Sequence, residues 1–388
     1  MINISKRSLV LDKSSIKSAF LGISVYLLMI DSGGKFGIRN IGFILIGMFS
    51  LPYIIRKSVN MKIASIILLS ILVSLIGIFS NIINNIEISK AFHWIAFLIA
   101  IFIFYKSFLL FSERECVKGF LLAGFLFSIS VLFVHFLLIT NLFIRQDDLL
   151  TLLNLFFNGF FHRYSIFGFD YFSIYFQSTL TLSVFTTIAY LNKNYKLYIL
   201  FMFVLAISKS RFGFFVAVVI PILIYLIGVK KLSKLITLYI IPFSLIIIIF
   251  YFMIYFIYND NFTLDIRYVT SKDARIAHTI STIESFNIHN ILIGQGLGSE
   301  FYTMRSGGFT DNTELSQLEF LRKFGFIAYL LFNFLIFLTI YFSYNKSLYK
   351  EILYIFTLYF ASMSNPILTS LMFSIWIGYS LSRIFKTK

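Results

Sequence analysis

The chain has 388 residues, 59% of them hydrophobic and only 13% charged, with a mean hydropathy of +0.89. A soluble chain carries about 25% charged residues, so too few polar side chains exist to cover a water-facing surface of this size. A soluble globular fold is excluded on that ground, and a single cysteine, Cys116, excludes an internal disulfide or a cysteine-based metal cluster.

Apolar runs long enough to cross a ~30 Å hydrocarbon core recur along the chain. Helices satisfy their own backbone hydrogen bonds and can sit in lipid. The ~10-residue alternating segments of a transmembrane barrel are not seen in the pattern. The expected fold is therefore all-α, a polytopic bundle of about 12 spans, near 18–30, 41–55, 63–80, 91–110, 119–141, 171–190, 197–209, 212–229, 236–258, 325–343, 351–364 and 366–382. Residues 1–258 hold nine spans with an outside loop near 141–170, residues 259–324 form a large, partly helical outside loop, and residues 325–388 hold three more spans. Lys6, Arg7, Lys13 and Lys17 precede the first run and no small-residue cleavage site follows it, so the first helix is expected to stay as an anchor.

The net charge of +16 suits either nucleic acid or a membrane, and its distribution decides. With the N-terminus inside, the inside segments carry 19 Lys and Arg and the short outside loops seven. That asymmetry is a topology signal. It implies contact with membrane lipids, no nucleic acid, and both termini in the cytoplasm.

Two connections are long, and both fall outside. The first, about 141–170, contains Arg145, Asp147, Asp148 and then His162-Arg163-Tyr164. Between the seventh and eighth spans, Lys209-Ser210-Arg211 interrupts an apolar stretch. Two charges there suit an outer hairpin whose side chains reach headgroups, or anion binding by the planar fork of Arg211.

The second long connection is the only long hydrophilic stretch, and long loops without spans of their own are usually functional. Ser271 caps a predicted helix over Lys272–Phe286, with Ile276, Ile280 and Ile283 as an apolar stripe and Arg275, His278, Thr279 and Thr282 as a polar one. Gly294-x-Gly296-x-Gly298 lacks the spacing of a dinucleotide fingerprint. It reads as a tight turn, or as close backbone approach to a glycan or phosphate. A second helix is predicted from Asp311 to Lys323, with Gly325 ending it. Asp311 to Glu314 has capping-box spacing, compatible with a carboxylate fixed at a helix start for catalysis. Glu319 and Gln317 read as solvated, and His278 as an ordinary surface histidine or a base. His93, His135, His162, His278 and His289 form no paired ligand spacing, so no metal site is expected.

These features together resemble the O-antigen polymerase and O-antigen ligase superfamily of bacterial membrane glycosyltransferases. The resemblance covers roughly residues 160–340. It rests on His162-Arg163-Tyr164 through Asp170, on Ser208-Lys209-Ser210-Arg211-Phe212-Gly213, and on Ser271-x-Asp273-Ala274-Arg275. Ile293-Gly294-Gln295-Gly296-Leu297-Gly298 and Asp311-Asn312, leading to Phe324-Gly325-Phe326, complete it. It implies glycosyl transfer without metal or cofactor, at the outer face of the bacterial inner membrane, from an undecaprenyl-pyrophosphate-linked oligosaccharide. By the same resemblance Arg163, Arg211 and Arg275 would hold the pyrophosphate. Asp311, or failing it His278, is the expected base, and Asn312, Gly296 and Gly298 are expected at the glycan. A chain-length regulator is an expected partner. The ligase branch carries a histidine where this chain has Asp311-Asn312, which favours the polymerase branch. A ligase and a lipid-linked-oligosaccharide flippase remain the alternatives. A flippase needs charge within the bundle, for which Lys106 is the main candidate.

Overall fold

The computed structural model describes residues 13–31, 37–56, 61–140, 145–156, 159–166, 169–240, 271–286, 288–303, 308–311, 316–362 and 368–386. The described chain is mostly helical. Its first half runs through α1 (Lys13–Ile30), α2 (Ile38–Arg56), α3 (Met61–Ile83), α4 (Ile88–Phe108), α5 (Glu113–Thr140) and α6 (Gln146–Phe156). A hairpin of β1 (Gly159–Ile166) and β2 (Phe169–Phe176) follows, then a 3-10 turn (Gln177–Thr181), α7 (Leu182–Leu191), α8 (Tyr195–Ile207), α9 (Arg211–Ile227) and α10 (Val229–Leu235). The second half contains α11 (Ser271–Glu284), α12 (Ile288–Ile293), β3 (Phe301–Thr303), β4 (Gly308–Thr310), α13 (Ser316–Asn345), α14 (Tyr349–Ala361) and α15 (Leu371–Phe385).

Among the described residues α3, α4, α5 and α13 are long and apolar enough to cross a membrane. A fifth span is counted if α9 and the helical segment after it, bent by 112° at Gly228, are taken as one. Shorter apolar helices include α1, α2, α7, α8 and α15. The ninth expected span, 236–258, lies outside the described residues beyond Ile240, as does the start of the large loop.

The helices place their residues as lipid-facing helices do. On α3, Ser70, Val73, Gly77, Ser80 and Asn81 are buried. Leu68, Ile71, Leu75, Phe79 and Ile82 face outward. Ile63 and Ile66 are buried too, but from Ser70 onward mostly small and polar side chains are buried while large apolar ones face away, the pattern expected where lipid replaces water. The interior is dense with aromatic rings: Phe320 stacks on Phe324 at 4.4 Å and on Phe332 at 4.6 Å, and Phe120 packs on Trp376 at 4.6 Å.

The sixth expected span requires correction. Residues 171–176 are strand, and the helix begins only after the 3-10 turn. β1 and β2 pair antiparallel from Gly159↔Phe176 to Ile166↔Phe169. Phe, Tyr and Ile dominate this stretch, and such residues favour a pleated, half-buried surface. On β2, Phe172, Ile174 and Phe176 are all buried, at the period of two that a strand requires. Their bulk made an apolar run that read as a span.

The contacts sort into two ends. At one, Arg383 pairs with Glu113 at 2.5 Å and reaches Glu351 at 3.7 Å, Lys386 donates to the Phe111 carbonyl at 2.7 Å, and Ser233 bonds the Tyr349 carbonyl at 3.0 Å. Lys193, Lys196, Lys230, Lys231, Lys234 and Lys350 lie at this basic end. At the other, Ser178 donates to the Met29 carbonyl at 2.6 Å, Phe212 packs on Phe360 at 5.3 Å, and Leu368 donates to Ser316 Oγ at 3.4 Å. The two β-hairpins, α11 and α12 are all on this second side, called here the loop end.

Candidate functional site

The site is built where the second long connection folds onto α3, α4 and α13. α13 is broken at Gly325, whose φ of 82° and ψ of 169° lie outside the helical region. Gly325 turns there because the backbone of Ile293 and Gly294 crosses it. A Cβ on Gly294 would meet the Lys323 carbonyl at 2.5 Å and the Gly325 nitrogen at 2.7 Å. The two glycines allow two backbones to touch, at positive φ on both sides. The crossing is then bonded: Gln295 N donates to Arg322 O at 2.7 Å, and Gly296 N to Lys323 O at 3.3 Å.

The end of α3 grips the other side of the same turn. Ser80 Oγ and Asn84 Nδ2 both donate to the Gly294 carbonyl, at 3.0 and 3.1 Å. The Asn81 side chain brackets Leu297, accepting from its N–H and donating to its carbonyl at 3.0 Å. Gly296 and Gly298, at φ of 98° and 90°, face protein atoms: a Cβ would meet Ile86 at 2.6 Å and Lys90 at 2.8 Å. In this structure the glycine motif is a docked turn.

Beneath the turn lies a charged cluster that sequence reasoning missed. Glu319, Arg322 and Lys323 are all fully buried. Arg322 Nη1 donates to Ser299 Oγ at 2.8 Å, to Ser299 O at 3.0 Å and to Gln295 Oε1 at 3.3 Å. Its Nη2 donates to the Asp311 carbonyl at 2.6 Å and to both Glu319 oxygens at 3.4 Å. The guanidinium also lies 4.7 Å from the Phe301 ring centre. Lys323 Nζ is 2.5 Å from Glu319 Oε1 and 3.1 Å from the centre of the Trp94 ring. The signal was the Glu-x-x-Arg-Lys spacing on one turn of helix, which places both cations beside the carboxylate. Glu319 is therefore not solvated. Gln317, half-buried, accepts from the Tyr329 hydroxyl at 2.9 Å.

His278 is likewise not a surface residue. It is 6% exposed, shares a hydrogen bond of 2.9 Å with Thr303 Oγ1, and its ring lies 5.5 Å from Phe301. Ser281 and Thr282 are buried with it, while Ile280 and Ile283 are only half-buried. α11 thus turns its polar face inward, against the expected orientation. The cause is the partner surface: β3 offers a hydroxyl and a polarisable ring, and the helix hydroxyls bond their own backbone, Thr282 to His278 O at 2.7 Å.

The structure brings Asp311, His278, Gly296 and Gly298 into one layer around Phe301 and Arg322. Asp311 follows β4 and is half-buried. Asn312 and the rest of the expected capping box, 313–314, lie outside the described residues. Arg211 stands at the same end on the first turn of α9, exposed, after the sharp turn that links α8 to α9. Its neighbour Lys209 adopts φ 51°. Burial, and after it the Arg211 guanidinium, hold the Lys209 ammonium below its ordinary pKa. The backbone of Arg163 is placed in β1 opposite Phe172, and that of Arg275 in the first turns of α11. The side chains of both lie outside the described residues.

Lys106, the expected intramembrane charge, is buried with its ammonium 5.6 Å from the Phe102 ring centre and 5.9 Å from that of Tyr105. Against protein-family models, curated proteins and solved structures, the chain matches none.

Proposed function

We propose that this chain is an O-antigen (surface polysaccharide) polymerase of the bacterial inner membrane. It joins undecaprenyl-pyrophosphate-linked oligosaccharide units at the outer face, by glycosyl transfer that needs no metal. One observation supports this reading beyond the sequence resemblance. Four segments separate in sequence, bearing Arg163, Arg211, Arg275 with His278, and Asp311, all belong to the loop end of the bundle, opposite the basic end.

The chemistry asked of these residues is modest. Pyrophosphate is a good leaving group, and arginines stabilise the charge that develops on it. The acceptor sugar hydroxyl has a high pKa and benefits from a positioned base. Asp311 is the first choice, because it is half-exposed while His278 is buried. Two lipid-tethered substrates held at one surface supply proximity. Attack opposite the pyrophosphate inverts the anomeric centre.

The test is reconstitution with lipid-linked repeat units and a chelator. A ladder of lengthening products is expected, and Asp311→Asn should slow it by about 10²–10⁴-fold. Transfer of preformed glycan to a lipid A core acceptor without lengthening would instead identify a ligase. Movement of lipid-linked units across the bilayer without bond formation would identify a flippase.

A further inference from the structure

A cleft of about 290 Å³ opens between the first turns of α2, the middle of α4 and the start of α15. Its composition changes along the bundle axis. At the loop end it is lined by Arg39, Asn40, Thr369 and Ser370; deeper, by Phe43, Ile99 and Ile103. Ala96, Ile99 and Ile103 sit on successive turns of α4, so the apolar wall descends about 10 Å from Ala96. The cleft opens sideways rather than upward. Ile99 is 57% exposed, and Ile41, Ile44 and Met48 of α2 are exposed as well.

A cation and hydroxyls at the membrane-surface end, over an apolar trough open to the bilayer side, match an amphiphile. We infer that this cleft is a binding site for an anionic phospholipid, its phosphate at Arg39 and its acyl chain along Phe43, Ile99 and Ile103. Arg39 is the only charged residue lining the cleft among the described residues. One positive charge on the lining favours a lipid with net negative charge over a zwitterionic one. Asp31, buried behind it, accepts from the Arg39 backbone N–H at 3.3 Å. Its carboxylate fixes the first turn of α2 and partly offsets the cation, which keeps the preference modest. The inference does not rest on the glycosyl-transfer reading.

The test uses the full chain purified in a neutral detergent and titrated with phosphatidylglycerol, phosphatidylcholine or inorganic phosphate. Thermal unfolding and native mass spectrometry are the readouts. Phosphatidylglycerol should raise the Tm and remain bound, phosphatidylcholine should bind about fivefold more weakly, and inorganic phosphate should do neither. Arg39→Gln should remove the preference while leaving phosphatidylcholine binding unchanged. Ala96→Phe, which fills the exposed trough without changing charge, should weaken both lipids and serves if the first variant folds poorly. Inorganic phosphate reproducing the Tm shift would overturn the lipid assignment in favour of a simple anion site. Wild-type lipid binding in both variants would place the lipid elsewhere.

Discussion

Arg322 carries more of the loop end than any residue the sequence singles out. Its two terminal nitrogens donate to two carbonyls, a hydroxyl, an amide oxygen and a carboxylate from three separate stretches of chain, at 295–299, 311 and 319. Removing one partner of a buried charged pair leaves the others uncompensated and costs about 3–5 kcal/mol. Arg322→Met should therefore lower the Tm of the detergent-solubilised protein sharply, and an unchanged Tm would show that the cluster carries no weight. The spacing of Glu319, Arg322 and Lys323 was legible beforehand but their burial was not, because a short charged stretch beside a loop reads as a solvated face until the chain that covers it is known. At Lys209 the sign of a pH effect follows from geometry. Burial lowers its pKa most and Arg211 adds to it. Arg211→Ala should move the pH curve of amine labelling at Lys209 upward, toward but not reaching that of a free lysine. A curve that stays put would mean Arg211 exerts no field there.

At the scale of elements, what decides legibility is whether a stretch makes its contacts locally. The helices up to Thr140 follow from apolar runs that need only lipid and one another, and they lie close to their expected bounds. The β1–β2 hairpin does not, since Phe-rich strands and Phe-rich spans carry the same hydropathy, and only the period-two burial of Phe172, Ile174 and Phe176 separates them. α11 fails for the opposite reason. Its start was legible from Ser271, but its buried face was set by β3, which lies about twenty residues further on. The break in α13 was anticipated at Gly325, though not its cause. Gly325→Ala forces a side chain into the Ile293–Gly294 backbone at positive φ, a strain of about 1–3 kcal/mol. Limited proteolysis should then cut the 271–311 segment faster than in the wild type, at unchanged cleavage elsewhere. Equal rates would mean the crossing is not what holds this segment down.

The whole molecule has a basic end and a loop end, and the expected orientation follows from placing the first in the cytoplasm. With Cys116 replaced by Ala, Glu300→Cys and Lys196→Cys report the two ends separately, since both positions are exposed. In intact cells stripped of their outer membrane, an impermeant thiol reagent should label the first and reach the second only after permeabilisation. The reverse pattern would put the loop end inside and remove the proposed substrate from reach.

At this scale the proposed activity requires that the loop end grip a diphosphate while a glycan grows. The direct measurement is chain growth by Arg211→Ala against wild type in proteoliposomes supplied with lipid-linked repeats and chelator. Arg211 is exposed at a helix start, so its loss should spare folding. Losing one such charge-stabilising donor is worth about 10²–10³ in rate. Wild-type ladders and a variant slowed to that extent are predicted. Equal growth by both proteins, or no growth by wild type on substrate that a known polymerase extends, would contradict it.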